Sequence, residues 1–350
     1  MSMPRARGGA RHESPRMLRY LLLAAIALIA YGEAQAEGLT AERLGVIFNI
    51  NDSASVRVAQ YYALKRHIPP ANLIGLSGPD REVLDRYQLG QIRADLLARL
   101  PSDVQSLLLV WSKAYAVECM SITTAVAAGF HSEFCTPGCS RTTLSPLFDT
   151  AGWLPADTTG WLPAMLLPSG DEMLAKAVID RGVAADGSRP PGTVYLVRTQ
   201  DQARNVRAVG YRDAESVVSS RAAVRELTTP IDRPPSDIIG FFTGEAQVQV
   251  LPRLSFRPGA AADHLTSSGG VLEGSSQMSA LAWLRQGATA SYGSVSEPCN
   301  HPGKFPSPGV LFDHYLRGDT LLEAYWKSVA MPGQGLFIGE PLARPFGSTE

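Results

Sequence analysis

The sequence predicts an α/β protein, a doubly wound and mainly parallel sheet with helices packed on it. Three observations carry this. Short unbroken apolar runs recur: Leu44-Gly-Val-Ile-Phe-Asn-Ile50, Leu107-Leu-Leu-Val-Trp111, Thr193-Val-Tyr-Leu-Val197 and Asp237-Ile-Ile-Gly-Phe-Phe242. Such runs suit strands covered on both faces, which show no polar alternation. Segments with helical spacing lie between them, long enough for the crossover that a parallel pair requires. The block from Ser276 to Phe346 then reads as a helix, a small-residue strand, two helices and a strand, a common way for an α/β core to end.

The elements follow in order. Leu44–Ile50 is a buried strand, and Asn51-Asp-Ser-Ala-Ser55 is a turn that caps a helix. Val56 to His67 carries Val56, Ala59, Tyr62 and Ala63 on one face, and Ile68-Pro-Pro70 stops it. Asn72–Ser77 completes a βαβ unit. Gln88 to Leu100 is amphipathic and leads to the strand Leu107–Trp111. From Lys113 to about Gly170 the periodicity fails. This stretch holds three of the four cysteines, and a structureless loop of that length does not suit a compact domain. It is read as a disulfide-stapled insertion (113–170) covering one edge of the sheet. Helix Asp171–Asp180, strand Thr193–Val197, a helix over Glu215–Leu227, strand Asp237–Phe242 and strand Ala288–Val295 follow. The domain expectation is one α/β unit over 37–350.

The 350 residues are 45% hydrophobic and 19% charged, with a net charge of −1. That balance buries a sizeable core and gives no electrostatic footprint for nucleic acid or an anionic membrane. The N-terminus has five arginines from Arg5 to Arg19, then the apolar run Tyr20–Ala30 and the small-x-small triplet Ala34-Gln-Ala36. This is the three-part pattern of a secretory signal peptide (1–36), cleaved after Ala36. The expected location is periplasmic or extracellular, with no membrane span in the mature chain, since the apolar run is short. Cys119, Cys135, Cys139 and Cys299 are then expected as two disulfides. Three connectivities are open, and Cys119 with Cys299 is one that suits two cysteines following strands at one edge. A zinc reading of Cys119, Cys135, Cys139 and His131 competes with it.

Several segments resemble a bacterial family of exported proteins of unknown function. They are Asn49-Ile-Asn-Asp-Ser53, Tyr61-Tyr62 with Arg66-His-Ile-Pro69, Ala185-Asp186 with Asp201, Arg204-Asn-Val-Arg207, and Gly293 to Asn300. The C-terminal half is also distantly similar to gingipain- and clostripain-type cysteine peptidases, through Gly287-Ala288, Asp319-Thr-Leu-Leu-Glu-Ala324 and Gly339-Glu-Pro341. That resemblance implies a caspase-like fold. It also implies a His-Gly pair at Thr243-Gly244-Glu245 and a nucleophilic cysteine within Thr266-Ser-Ser-Gly-Gly270. Neither histidine nor cysteine stands there. The chain is therefore expected to lack the dyad and to act as a binding or envelope-associated pseudo-enzyme. The competing reading is a diverged hydrolase.

Ligands in open α/β sheets bind outside the carboxyl ends of the strands. There the sequence puts Asn49, Asn51, Asp52, Ser53 and Lys113, and later Thr243, Glu245, Glu297, Cys299, Asn300 and His301. The candidate ligand-binding residues are Asn51, Asp52, Ser53, Lys113 and Glu297, although Asn51–Ser53 also suits a plain helix cap. The candidate catalytic residues are Cys299 with His301 and Glu245. Ser267 or Ser268 is an alternative nucleophile, with His264 or Glu245 as base, although no Gly-x-Ser-x-Gly elbow surrounds either serine. Glu245 and Glu297 also invite comparison with the paired acids of glycoside hydrolysis. Trp111, Trp283 and Trp326 belong to the core, whereas Trp153 and Trp161 can line a groove. No cofactor or metal motif stands out. The expected partner is a small molecule or peptide.

Overall fold

A computed structural model describes Met1 and residues 38–111, 113–135, 139–152 and 156–347. The expected signal peptide and Trp153 lie outside the described residues.

The strands of the main sheet are β1 (Leu44–Asn49), β2 (Leu73–Leu76), β4 (Ser106–Trp111), β7 (Ala164–Pro168), β8 (Thr193–Arg198), β9 (Ala223–Thr228), β10 (Ile238–Thr243), β11 (Phe256–His264), β12 (Ala290–Ser294) and β13 (Gly335–Gly339). A small second sheet joins β3 (Val83–Leu84), β5 (Ala116–Val117) and β6 (Met120–Ser121). The helices are α1 (Ser53–Arg66), α2 (Arg86–Arg99), α3 (Ile122–Ala128), α4 (Ala156–Thr159), α5 (Glu172–Ala185), α6 (Tyr211–Val218), α7 (Leu281–Gln286), α8 (Pro308–Leu316) and α9 (Leu321–Ser328).

The ten strands lie in the order β2-β1-β4-β7-β13-β12-β11-β10-β8-β9. The run β2-β1-β4-β7 is parallel, and so is β12-β11-β10-β8-β9. β13 pairs antiparallel with β12, Ser294 facing Gly335 and Ala290 facing Gly339, and it meets β7 at Ile338 and Leu166. The sheet is therefore mainly parallel and flanked by helices, as the apolar runs predicted. β4, β10 and β12 are buried along their whole length.

Adjacent residues on β11 show how the two faces are used, since successive side chains on a strand point to opposite faces. Asp263 pairs with Arg207, just ahead of α6, at 2.5 Å. His264 instead meets Trp283 of α7. The helix ends follow the local chemistry. Asp52 caps α1 by accepting from the Ala54 N–H (2.9 Å). Thr320 and Glu323 form a reciprocal capping box at α9. Trp111, Trp283 and Trp326 are all buried. The Trp326 indole donates to the Ala164 carbonyl at 3.0 Å, and its ring stacks on Phe337.

Three expectations are corrected. The stretch 113–170 is not all insertion: Ala164–Pro168 is β7, a strand in the middle of the main sheet. Its five residues, Ala-Met-Leu-Leu-Pro, are too few to show a period, and the preceding loop hides them. The helix expected over Glu215–Leu227 stops at Val218, and Ala223–Thr228 forms the edge strand β9. With one side unpaired and every residue exposed or half-buried, β9 has no apolar pattern to announce it. Finally, Cys119 bonds Cys135 and Cys139 bonds Cys299, so the Cys119–Cys299 pairing does not occur. Cys119 does lie near the Cys299 loop, where its carbonyl accepts from the Ser296 hydroxyl at 2.7 Å. The first bridge closes a local loop within 113–170, and the second fastens that segment to the loop after β12. Both place the chain in an oxidising compartment. Among the described residues no helix is long and apolar enough to cross a membrane.

Candidate functional site

The strand order changes direction twice. β1 connects outward to β2 while its neighbour β4 connects inward to β7. On the far side, β8 connects outward to β9 while its neighbour β10 connects inward to β11. A crevice opens at the carboxyl ends wherever neighbouring connections diverge in this way.

At the second divergence lies a cleft of about 500 Å3. Gln200 after β8, Thr229 and Asp232 after β9, and Glu245, Gln249 and Arg253 after β10 line it, with Ile231 and Val250 as apolar wall. Glu245 is the sequence-predicted site residue that falls here. Burial, and secondarily the nearby Asp201, push its carboxyl above the usual range, while a hydrogen bond with Thr229 draws it down. The Arg253 guanidinium is tethered to the Ile231 carbonyl at 3.0 Å.

The loops after β8 and β11 are closed by polar contacts. Arg204 Nε donates to Thr266 Oγ1 (3.1 Å), and Thr266 Oγ1 donates to Gln277 Oε1 (2.6 Å). Gln277 Oε1 also accepts from the Ser268 N–H at 2.9 Å, and Ser268 Oγ shares a hydrogen bond with Ser275 Oγ at 2.8 Å. His264 is 0% exposed. Its Nδ1 accepts from the Trp283 indole at 2.9 Å, and its Nε2 lies 2.9 Å from the Met278 carbonyl. An indole can only donate and a carbonyl can only accept, so the ring is neutral with its proton on Nε2. Burial pulls its pKa down to about 4. His264 therefore cannot serve Ser267 or Ser268 as a base.

Cys299 and His301 do not form a dyad. The Cys299 sulfur is bonded to Cys139, which leaves no thiolate to attack a substrate. Cys299 and Asn300 both have positive φ, 55° and 52°, and the Glu297 carboxylate accepts from the Cys299 N–H at 2.7 Å. His301 Nδ1 accepts from the Gly303 N–H, capping a short turn; burial and then Lys304 lower its pKa. Glu245 and Glu297 leave the ends of β10 and β12, with β11 between them. Among the described residues no cluster of three or more His, Cys, Asp and Glu side chains can hold a metal ion, and the three cysteines of the zinc reading, Cys119, Cys135 and Cys139, are all in disulfides.

At the first divergence the polar residues are spent on the turn. Asn49 Oδ1 accepts from the N–H groups of Asn51 (3.0 Å) and Gly78 (3.1 Å). Ser55 Oγ accepts from the Asn49 N–H and donates to the Val110 carbonyl. Asn51 Nδ2 reaches Ser77 Oγ, Asp52 caps α1, and Ser53 is its exposed first residue. The cap therefore accounts for this motif. Lys113 reaches the Asp80 carbonyl at 3.1 Å and lines a separate cleft.

Sequence reasoning missed the buried pair Arg207–Asp263, in which Arg207 Nη2 also donates to the Thr243 carbonyl at 2.8 Å. Asp263 lies in Gly259-Ala-Ala-Ala-Asp263, a run too small in volume to read as a strand. No protein-family model matches the chain, and no curated protein matches it.

Proposed function

We propose that this chain is an exported, non-catalytic binding protein on a caspase-like fold, taking a small molecule or peptide in the crevice outside β8 and β10. The observation that carries the reading is the closed network Arg204–Thr266–Gln277–Ser268, which fills the segment where the peptidase resemblance calls for a nucleophile. Thr243-Gly244-Glu245 ends β10, and Thr266–Gly270 follows its neighbour β11, so the two aligned segments are adjacent as that resemblance requires. The disulfides support export, and the signal-like N-terminus points the same way.

Glu245 is the recognition group of this reading. A half-buried carboxylate in a cleft with two apolar side chains suits a ligand carrying a hydrogen-bond donor on an apolar body. The test has two arms. Purified mature protein is assayed against peptide, amide and ester substrates, and the same protein is screened for ligands by thermal shift beside Glu245→Gln. No turnover, together with a ligand whose affinity falls at least tenfold in Glu245→Gln, is the expected result. Turnover that disappears in Ser267→Ala or Ser268→Ala would overturn the binding reading in favour of a diverged hydrolase.

A further inference from the structure

The second cleft, beside the first divergence of the sheet, encloses about 350 Å3 and is built from four distant parts of the chain. Lys113 follows β4, Asp171 follows β7, Glu273 follows β11, Arg285 belongs to α7, and Glu82 precedes β3. Two cations and three carboxylates thus share one small space. Among the described residues, none of the five forms an ion pair with another. Lys113 reaches only a backbone carbonyl, and Asp171 accepts from the Leu174 N–H to cap α5. All five side chains are exposed and stand on different elements, so each is open to a ligand that enters the cleft.

We infer that this cleft binds a small zwitterion, an amino acid or dipeptide with a free ammonium and a free carboxylate. Lys113 and Arg285 take the carboxylate. Glu82, Asp171 and Glu273 surround the ammonium. Leu272 and its leucine neighbours from α5 and α7 offer apolar wall to a side chain, and the volume stands at the small end of ligand sites. This goes beyond the crevice at Glu245, which lies at the other divergence and shares no lining residue with it.

The experiment is isothermal titration of the disulfide-intact protein with leucine and leucyl-leucine, each beside its N-acetylated and its C-amidated form. Binding of a free zwitterion that weakens at least tenfold when either end is blocked is the expected result. Lys113→Met and Glu273→Gln should each weaken it by a similar factor, and Glu245→Gln should leave it unchanged. No heat with any free zwitterion, or equal binding of the blocked forms, overturns the proposal. Affinity lost in Glu245→Gln but kept in both Lys113→Met and Glu273→Gln assigns the ligand to the other crevice and overturns it as well.

Discussion

Trp283 donates its indole hydrogen to His264 Nδ1 at 2.9 Å, and through that single bond it fixes which nitrogen of a fully buried imidazole carries the proton. Replacing the indole removes the donor and leaves Nδ1 desolvated. Trp283→Phe should cost about 3 kcal/mol or more in urea unfolding, combining an unsatisfied buried acceptor with lost volume. His264→Gln in the same background should recover little, because the lost volume remains.

The same histidine sets a pH dependence. Its folded pKa is about 4 against a usual 6.5, so between those values the unfolded chain binds the extra proton. Stability then rises with pH across the window from about 4 to 6.5 and is lost as pH falls through it, by on the order of 3 kcal/mol in all. Denaturation midpoints of wild type and His264→Gln, measured from pH 4 to 7, should diverge at the acid end. Parallel profiles would remove His264 from the account.

The two disulfides should contribute unequally. Cys139–Cys299 spans 160 residues and Cys119–Cys135 spans 16. Loop-closure entropy assigns about 5 kcal/mol to the first and about 3 kcal/mol to the second. Paired Cys→Ser replacements compared by chemical denaturation should preserve that order.

A buried carboxylate holds the foot of α1. Glu340, 0% exposed, accepts from Tyr62 (2.7 Å) and from Arg66 Nη2 (2.6 Å), and Arg66 also pairs with Asp186. Glu340→Gln strips the more deeply buried of the two charges that compensate the Arg66 guanidinium and should destabilise by about 3 kcal/mol. Gly182 exists for the same group, since a Cβ there would lie 2.3 Å from Glu340 Oε2. Gly182→Ala should therefore also lower the melting temperature.

Much of this architecture was legible because buried parallel strands write themselves as apolar runs. Leu107–Trp111 and Asp237–Phe242 appear almost where the sequence puts them, as β4 and β10. The strands that escaped lack that signal for separate reasons. β7 is short and follows a long loop, β9 is an exposed edge, and β11 is made of Gly and Ala where α5 packs close. The site was harder to read. The sequence shows which residues are polar and follow strands, but not that Asn49 and Asp52 would be consumed by their own turn, nor that Cys299 would find Cys139 rather than Cys119. Pairing and capping are settled by three-dimensional neighbours, and composition is silent about those.

The central position of β13 has a consequence for how the chain is made. β13 follows every other strand of the main sheet in the chain, yet it lies between β7 and β12 and joins the two parallel runs. A nascent chain can pair β1, β2, β4 and β7 on one side and β8 to β12 on the other, but the inner margins of both remain bare until β13 is in place. A chain cut just before Gly335 would therefore yield two half-sheets with exposed hydrogen-bonding edges, the kind of product that aggregates rather than one that merely loses a strand.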